Sequence, residues 1–147
     1  MSHPAVFLDR DDTLVIDSGY IDHPDKVALM SGAREAVQRF RQAGFKVVVA
    51  SNQSGVARGY FDEKRLALIN QRVQDLLAAD GEGLDAIYCC PYLDGPDATV
   101  DAYRRESELR KPRPGMLLKA AREMDLDLTR SWMIGDALRD VEAGVAA

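Results

Sequence analysis

Cysteine is nearly absent: the 147 residues hold two, Cys89 and Cys90, side by side. Neighbouring cysteines do not readily close an unstrained bridge, so a disulfide framework is excluded. Long apolar runs are missing too. No stretch approaches the roughly 18–20 residues that span a bilayer. The start, Met1-Ser2-His3-Pro4, has no basic segment, and Asp9 interrupts the first apolar run. These absences predict a cytoplasmic protein without a membrane anchor. Positive charge is in deficit, 19 Lys and Arg against 24 Asp and Glu for a net −5, which argues against general affinity for nucleic acid or anionic lipid. Repeats, low-complexity tracts and Ser/Gly linkers are also lacking. One domain over residues 1–147 is expected, and 46% apolar residues suffice for a core.

What is present alternates. Ala5–Leu8 is a short apolar run that ends abruptly in Asp9-Arg10-Asp11-Asp12, as a buried strand emitting a polar loop would. Ala33, Ala36, Val37 and Phe40 recur at helical spacing, with Gly44 at the C-cap. Phe45–Ala50 reads as a second strand and stops in Ser51-Asn52-Gln53-Ser54-Gly55. Asp62 is placed to N-cap a helix with Leu66, Ile69, Val73, Leu76 and Leu77 on its apolar face. Ala86–Cys89 is a third strand, followed by an irregular loop, Pro91–Ser107. A helix begins at Pro114, a fourth strand is Trp132–Ile134, and a last helix opens near Leu138. Strand–helix alternation predicts an α/β fold with a parallel sheet and helices on both faces. In such sheets the ligand crevice lies at the C-terminal edge, so four polar clusters are expected to meet there.

Each cluster has a chemical and a plain reading. Asp9 and Asp11, two apart on a chain still extended, point the same way and can bind a hard cation or supply a nucleophile and an acid; a solvated acidic turn would look the same. Ser51 to Gly55 offer hydroxyl, amide and backbone donors for an anion, or simply a turn with a cap. In Arg110-Lys111-Pro112-Arg113-Pro114 the prolines are expected to hold a cationic segment extended and stiff; an ordinary basic loop is the alternative. Asp136 and Asp140 lie at i, i+4 after the last strand, with Asp136 reaching the crevice and Asp140 behind it, or both merely favour a helix N-terminus. Jointly they match the needs of phosphoryl transfer to a carboxylate, where magnesium and a lysine offset the repulsion between anions.

In that order and spacing, Asp9-Arg10-Asp11-Asp12-Thr13, Ser51-Asn52, Lys111-Pro112 and Gly135-Asp136 with Asp140 resemble the four motifs of the haloacid-dehalogenase-like (HAD) phosphatases. Phe7-Leu8-Asp9-Arg10-Asp11, Asp17-Ser18-Gly19-Tyr20, Ser51 to Gly59 and Arg110 to Met116 extend the resemblance to the subfamily of heptose 1,7-bisphosphate 7-phosphatases and histidinol-phosphate phosphatases. The resemblance implies a Rossmann-like core without a large cap domain, and hydrolysis of a sugar phosphate through an aspartyl-phosphate. It implies Asp9 as nucleophile, Asp11 as acid and base, and Ser51 and Lys111 on the phosphate. Mg²⁺ would be held by Asp9, the carbonyl of Asp11, and Asp136, with Asp140 one step removed. Asp17, Ser18, Gly19, Tyr20, Asn52, Gln53, Ser54 and Arg110 would contact the rest of a small phosphorylated substrate, and a monomer is expected.

Three departures stand out. The subfamily's structural zinc site is incomplete, since Cys90-Pro91-Tyr92 and Ser107-Glu108-Leu109 retain one ligand, so structural Zn²⁺ is not expected. Position 12 is Asp where Gly is usual. The family would continue into another strand and helix after Ala147, so the expectation is either a chain shortened or disordered beyond this point or a last helix with little support. Two readings of other classes compete with an enzyme: a phospho-accepting signalling domain, and a silent binding domain.

Overall fold

The computed structural model describes residues 2–17, 19–79 and 81–147. Four strands and four helices alternate along it: β1 (Ala5–Leu8), α1 (Ala33–Gln42), β2 (Lys46–Asn52), α2 (Glu63–Leu77), β3 (Ala86–Cys90), α3 (Gly115–Met124), β4 (Trp132–Ile134) and α4 (Leu138–Ala146). All strand pairs are parallel and the order is β3-β2-β1-β4. No helix among the described residues is long and apolar enough to cross a membrane.

The inner strands β1 and β2 carry continuous apolar runs, Ala5–Leu8 and Val47–Ala50, because both of their faces are covered. Val6, Leu8, Val47 and Val49 face one way, into a core with Val37 of α1 and Ile69, Val73 and Leu77 of α2. Ala5, Phe7, Val48 and Ala50 face the other way and pack on Met116, Leu117 and Ala120 of α3. The period-2 alternation of a strand thus serves two layers at once. Asp62 caps α2 as its position predicts, accepting from Arg65 N at 2.8 Å. Gly44 follows α1 with φ +94°, a conformation that suits a residue without Cβ. β4 is an outer strand, and Trp132 and Ile134 are exposed on it.

Register brings the polar ends together. Leu8 is aligned with Val49 and with Ile134, so Asp9, Ser51 and Asp136 leave three adjacent strands at one edge. The cationic segment corrects its expectation. Residues 110–113 form a turn, with Arg113 N donating to Arg110 O (2.9 Å) and a cis Lys111–Pro112 bond, rather than an extended stretch. The preference for extended backbone before proline yields here to the turn and to the pairing of Asn52 with the Lys111 backbone, which set the path.

The loop after β3 also has order of its own. Leu93 N donates to Tyr103 O and Arg105 N to Leu93 O, both at 3.1 Å, and a short 3-10 turn occupies Asp101–Tyr103. The Arg105 guanidinium lies 4.1 Å from the centre of the Tyr92 ring, which in turn packs on Tyr103. Tyr92, the position at which the resemblance implies a zinc ligand, is engaged in this stack.

Candidate active site

At the end of β1 the chain is bonded on both sides before it turns. Asp9 N donates to Ile134 O (3.0 Å), and Arg10 O then accepts from Leu14 N (2.9 Å) and Val15 N (3.0 Å). Asp12 sits inside this turn at φ +61°. That left-handed region is open to glycine and, among other residues, chiefly to Asn and Asp, which explains how Asp replaces Gly here. The turn brings Asp11, Asp12 and Asp17 beside Asp9 around a cavity of about 110 Å³, completed by Ser51, Asn52, Asp136 and Arg139.

The floor of the site is a buried ion triad. Lys111 Nζ donates to Asp9 Oδ1 at 3.0 Å and to Asp140 Oδ1 at 2.5 Å. All three side chains are buried, with Asp140 at 0% exposure. Burial pushes the Asp9 carboxyl above its usual range and the Asp140 charge adds to this, while Lys111 pulls it back down. Asp140 was expected behind Asp136. It does lie deeper, and its own role in the fold is to hold Lys111 while its Oδ2 accepts from Ala137 N at 3.1 Å.

The remaining candidates divide by what their polar atoms do. Ser51 is buried at the end of β2, its Oγ accepting from Gln53 Nε2 at 2.8 Å. Gln53 is buried as well and also donates to Asp11 Oδ2 (3.2 Å), so its amide faces inward. The Asn52 amide brackets the Lys111 backbone: Nδ2 donates to Lys111 O (3.1 Å) and Oδ1 accepts from Lys111 N (2.9 Å). Ser54 Oγ accepts from Arg58 Nε (3.1 Å). Asp17 lines the cavity and accepts from Gly19 N (2.9 Å), and Tyr20 stands exposed against Tyr60, their ring centroids 4.8 Å apart. Arg110 donates to Tyr92 O (3.4 Å). Ser18 lies outside the described residues. Arg139 was not among the residues expected here; its place three after Asp136, at the start of α4, could have suggested it.

Five of the eight cavity-lining residues are carboxylates, Asp9, Asp11, Asp12, Asp17 and Asp136, against one arginine. Asp9, Asp136 and Asp140 each bring a carboxylate oxygen within 4.8 Å of the others. Clustered hard oxygens of this kind fit a divalent cation, and without one they would repel an anionic ligand. Gly135 keeps this corner open. A Cβ there would stand 2.2 Å from Asp140 Oδ2, so Gly135→Ala must push the carboxylate off Lys111. Turnover in that variant is expected to fall by about 10²-fold, since a shift of an ångström at a reacting group costs that much. Unchanged steady-state rates would show that the Lys111–Asp140 bond is idle.

A family model described as haloacid dehalogenase-like hydrolase matches residues 18–147. A D-glycero-beta-D-manno-heptose-1,7-bisphosphate 7-phosphatase of Photorhabdus laumondii is 45% identical over 144 residues, covering 98% of this chain and 76% of its own length. The Escherichia coli K12 protein of the same name is 40% identical over 146 residues, 99% of this chain and 75% of that one. The crystal structure of D,D-heptose 1,7-bisphosphate phosphatase from B. bronchiseptica, complexed with magnesium and phosphate, superposes with a TM-score of 0.81 at 39% identity over 95% of this chain and 74% of that one. Its fold is therefore shared, and no cap domain is inserted among the described elements. On the family model and these relatives together, the chain belongs to the haloacid dehalogenase-like hydrolases and is a phosphatase among them.

Proposed function

We propose that the chain is a Mg²⁺-dependent phosphomonoesterase that removes the 7-phosphate of D-glycero-D-manno-heptose 1,7-bisphosphate through an aspartyl-phosphate. The observation that carries the chemistry is the Lys111 ammonium set between Asp9 and Asp140 at the floor of a cavity bordered by Ser51, Asp11 and Asp136. The substrate is inferred from the relatives' names.

Asp9 attacks phosphorus in line; the bond to the sugar oxygen breaks, and Asp11 gives that oxygen its proton. Water then attacks the acyl phosphate, Asp11 takes the water proton, and the phosphorus–Asp9 bond breaks to release phosphate. Lys111 and the Ser51 hydroxyl hold the non-bridging oxygens, where negative charge is densest. Asp140 aims Lys111. Asp17, Gly19, Tyr20, Ser54 and Arg110 meet the remainder of the substrate, while Asn52 and Gln53 act from inside by bracing Lys111 and Asp11. Asp9, Asp136 and the carbonyl of Asp11 would hold Mg²⁺, which supplies positive charge at the phosphate.

Phosphate release from heptose 1,7-bisphosphate, histidinol phosphate and simple sugar monophosphates, with Mg²⁺ and after EDTA treatment, tests this reading. The bisphosphate is expected to give a kcat/KM at least about 10-fold above the others, and EDTA to abolish turnover of all. A preference for histidinol phosphate would reassign the substrate. Rates indifferent to EDTA would remove the metal.

A further inference from the structure

Arg10 is among the largest side chains in the protein with under 2% exposure, and no step above uses it. It stands between two catalytic candidates in sequence yet points away from the cavity, whose lining does not include it. Its Nε donates to Asp11 Oδ1 at 2.8 Å and its NH2 to Asp11 Oδ2 at 3.2 Å, a two-armed grip on one carboxylate. NH2 also donates to Gln53 Oε1 (3.2 Å), and NH1 to Asn70 Oδ1 of α2 (3.0 Å). Asn70 in turn donates to Cys89 Sγ of β3 at 3.4 Å. Through Gln53 the same network reaches Ser51 Oγ.

Folding alone gives little reason for this arrangement. Asp11 keeps a quarter of its side chain exposed, so water would solvate it without help, whereas burying a guanidinium is costly unless its donors are met. Successive side chains on extended backbone point to opposite faces; the grip exists because the chain turns, with Arg10 O taking the amides of Leu14 and Val15. A planar fork on a carboxylate fixes its orientation as well as its position, which a lysine cannot do.

We propose that Arg10 is a positioning residue, which with Gln53 and Asn70 fixes the Asp11 carboxyl for proton transfer to the leaving sugar oxygen. The inference rests on the phosphatase reading above and adds a group that never touches substrate. When the phosphorus–oxygen bond breaks, its electron pair stays on the sugar oxygen and the Asp11 proton follows. The charge left on Asp11 falls against the guanidinium. Asp11 also takes the water proton when the aspartyl-phosphate breaks down, a step common to every substrate, so the effect of Arg10 depends on the leaving group only in the first half-reaction.

That restriction supplies the test. A sugar alkoxide needs a proton to leave, while the nitrophenolate of p-nitrophenyl phosphate leaves without one. Arg10→Lys keeps the charge and loses the fork. With Mg²⁺ present and enzyme in excess, its single-turnover rate of leaving-group release is expected to fall about 10²-fold on the sugar phosphate and by no more than about 3-fold on p-nitrophenyl phosphate. Equal losses on both esters in a folded variant, or no loss on either, would overturn the proposal. If circular dichroism shows Arg10→Lys unfolded, Asn70→Ala decides, because it removes the NH1 bond alone. A loss of about 5-fold confined to the sugar phosphate supports the role, and an equal or absent loss overturns it. Wild-type protein inactive on both esters would instead overturn the phosphatase reading, and the role of Arg10 with it.

Discussion

Asp9→Asn is expected to lower phosphate release by about 10⁴-fold or more, the scale on which removal of a covalent nucleophile acts, while the protein melts no lower than wild type. The two halves of that result come from the same geometry. Asp9 is a carboxylate at the end of β1, buried and held 3.0 Å from the Lys111 ammonium. An amide there cannot form an acyl phosphate, yet its oxygen still accepts from Lys111. The stability half follows from linkage. Burial and the Asp140 charge raise the Asp9 carboxyl above its unfolded value, with Lys111 opposing them. A group raised in this way binds its proton more tightly in the folded protein, so stability falls as pH rises through the interval between the two values. Asparagine has no such dependence. In metal-free buffer the melting temperature of Asp9→Asn should therefore gain on wild type from acid toward neutral pH. A variant that melts well below wild type at pH 7 would mean that Asp9 is a structural ion-pair partner first.

Lys111→Met should have the opposite stability signature. It removes the ammonium that touches both Asp9 and Asp140, each left buried beside the other. Breaking a buried pair from one side costs about 3–5 kcal/mol at neutral pH, which lowers the melting temperature by about 10 °C in a chain of this length. Without the lysine that pulls it down, the Asp9 carboxyl takes up its proton more readily in the folded state. Stability should recover on acidification, because the native form then binds more protons than the unfolded one. Turnover should drop by about 10³-fold, the upper range for loss of a single charge-stabilising donor. Differential scanning at pH 5 and 7, with rates at pH 7, checks both parts. An unchanged melting temperature at pH 7 would show that water or a neighbouring group compensates the pair.

Much of this site could be read from local patterns. The strands are short apolar runs cut off by charge, and parallel topology forces their ends to one edge; the convergence of Asp9, Ser51 and Asp136 follows from that, whereas Lys111 sits in the turn before α3 and does not. Asp62 as a cap and Gly44 after α1 are equally local. What escaped the sequence depends on partners far along the chain. Arg10, flanked by acids, reads as solvated, and only the fold brings it to Asn70, 60 positions away. The Asn52 amide looks free to meet a ligand until Lys111 arrives 59 residues later and takes both its polar atoms. Two prolines suggested an extended cationic segment, but one turn bond and the Asn52 clasp reverse it. The stack of Arg105, Tyr92 and Tyr103 escaped as well, since aromatic spacing in an irregular loop has no period to read.

The central claim is that phosphate passes through a covalent bond to Asp9. Rapid acid quenching during turnover, followed by peptide mass analysis, tests it most directly. The account predicts a single added phosphoryl group on the peptide that begins in β1, localised to Asp9 and lost in Asp9→Asn. Steady turnover with that peptide unmodified at every quench time, or a phosphoryl group on Asp11 in its place, would contradict it.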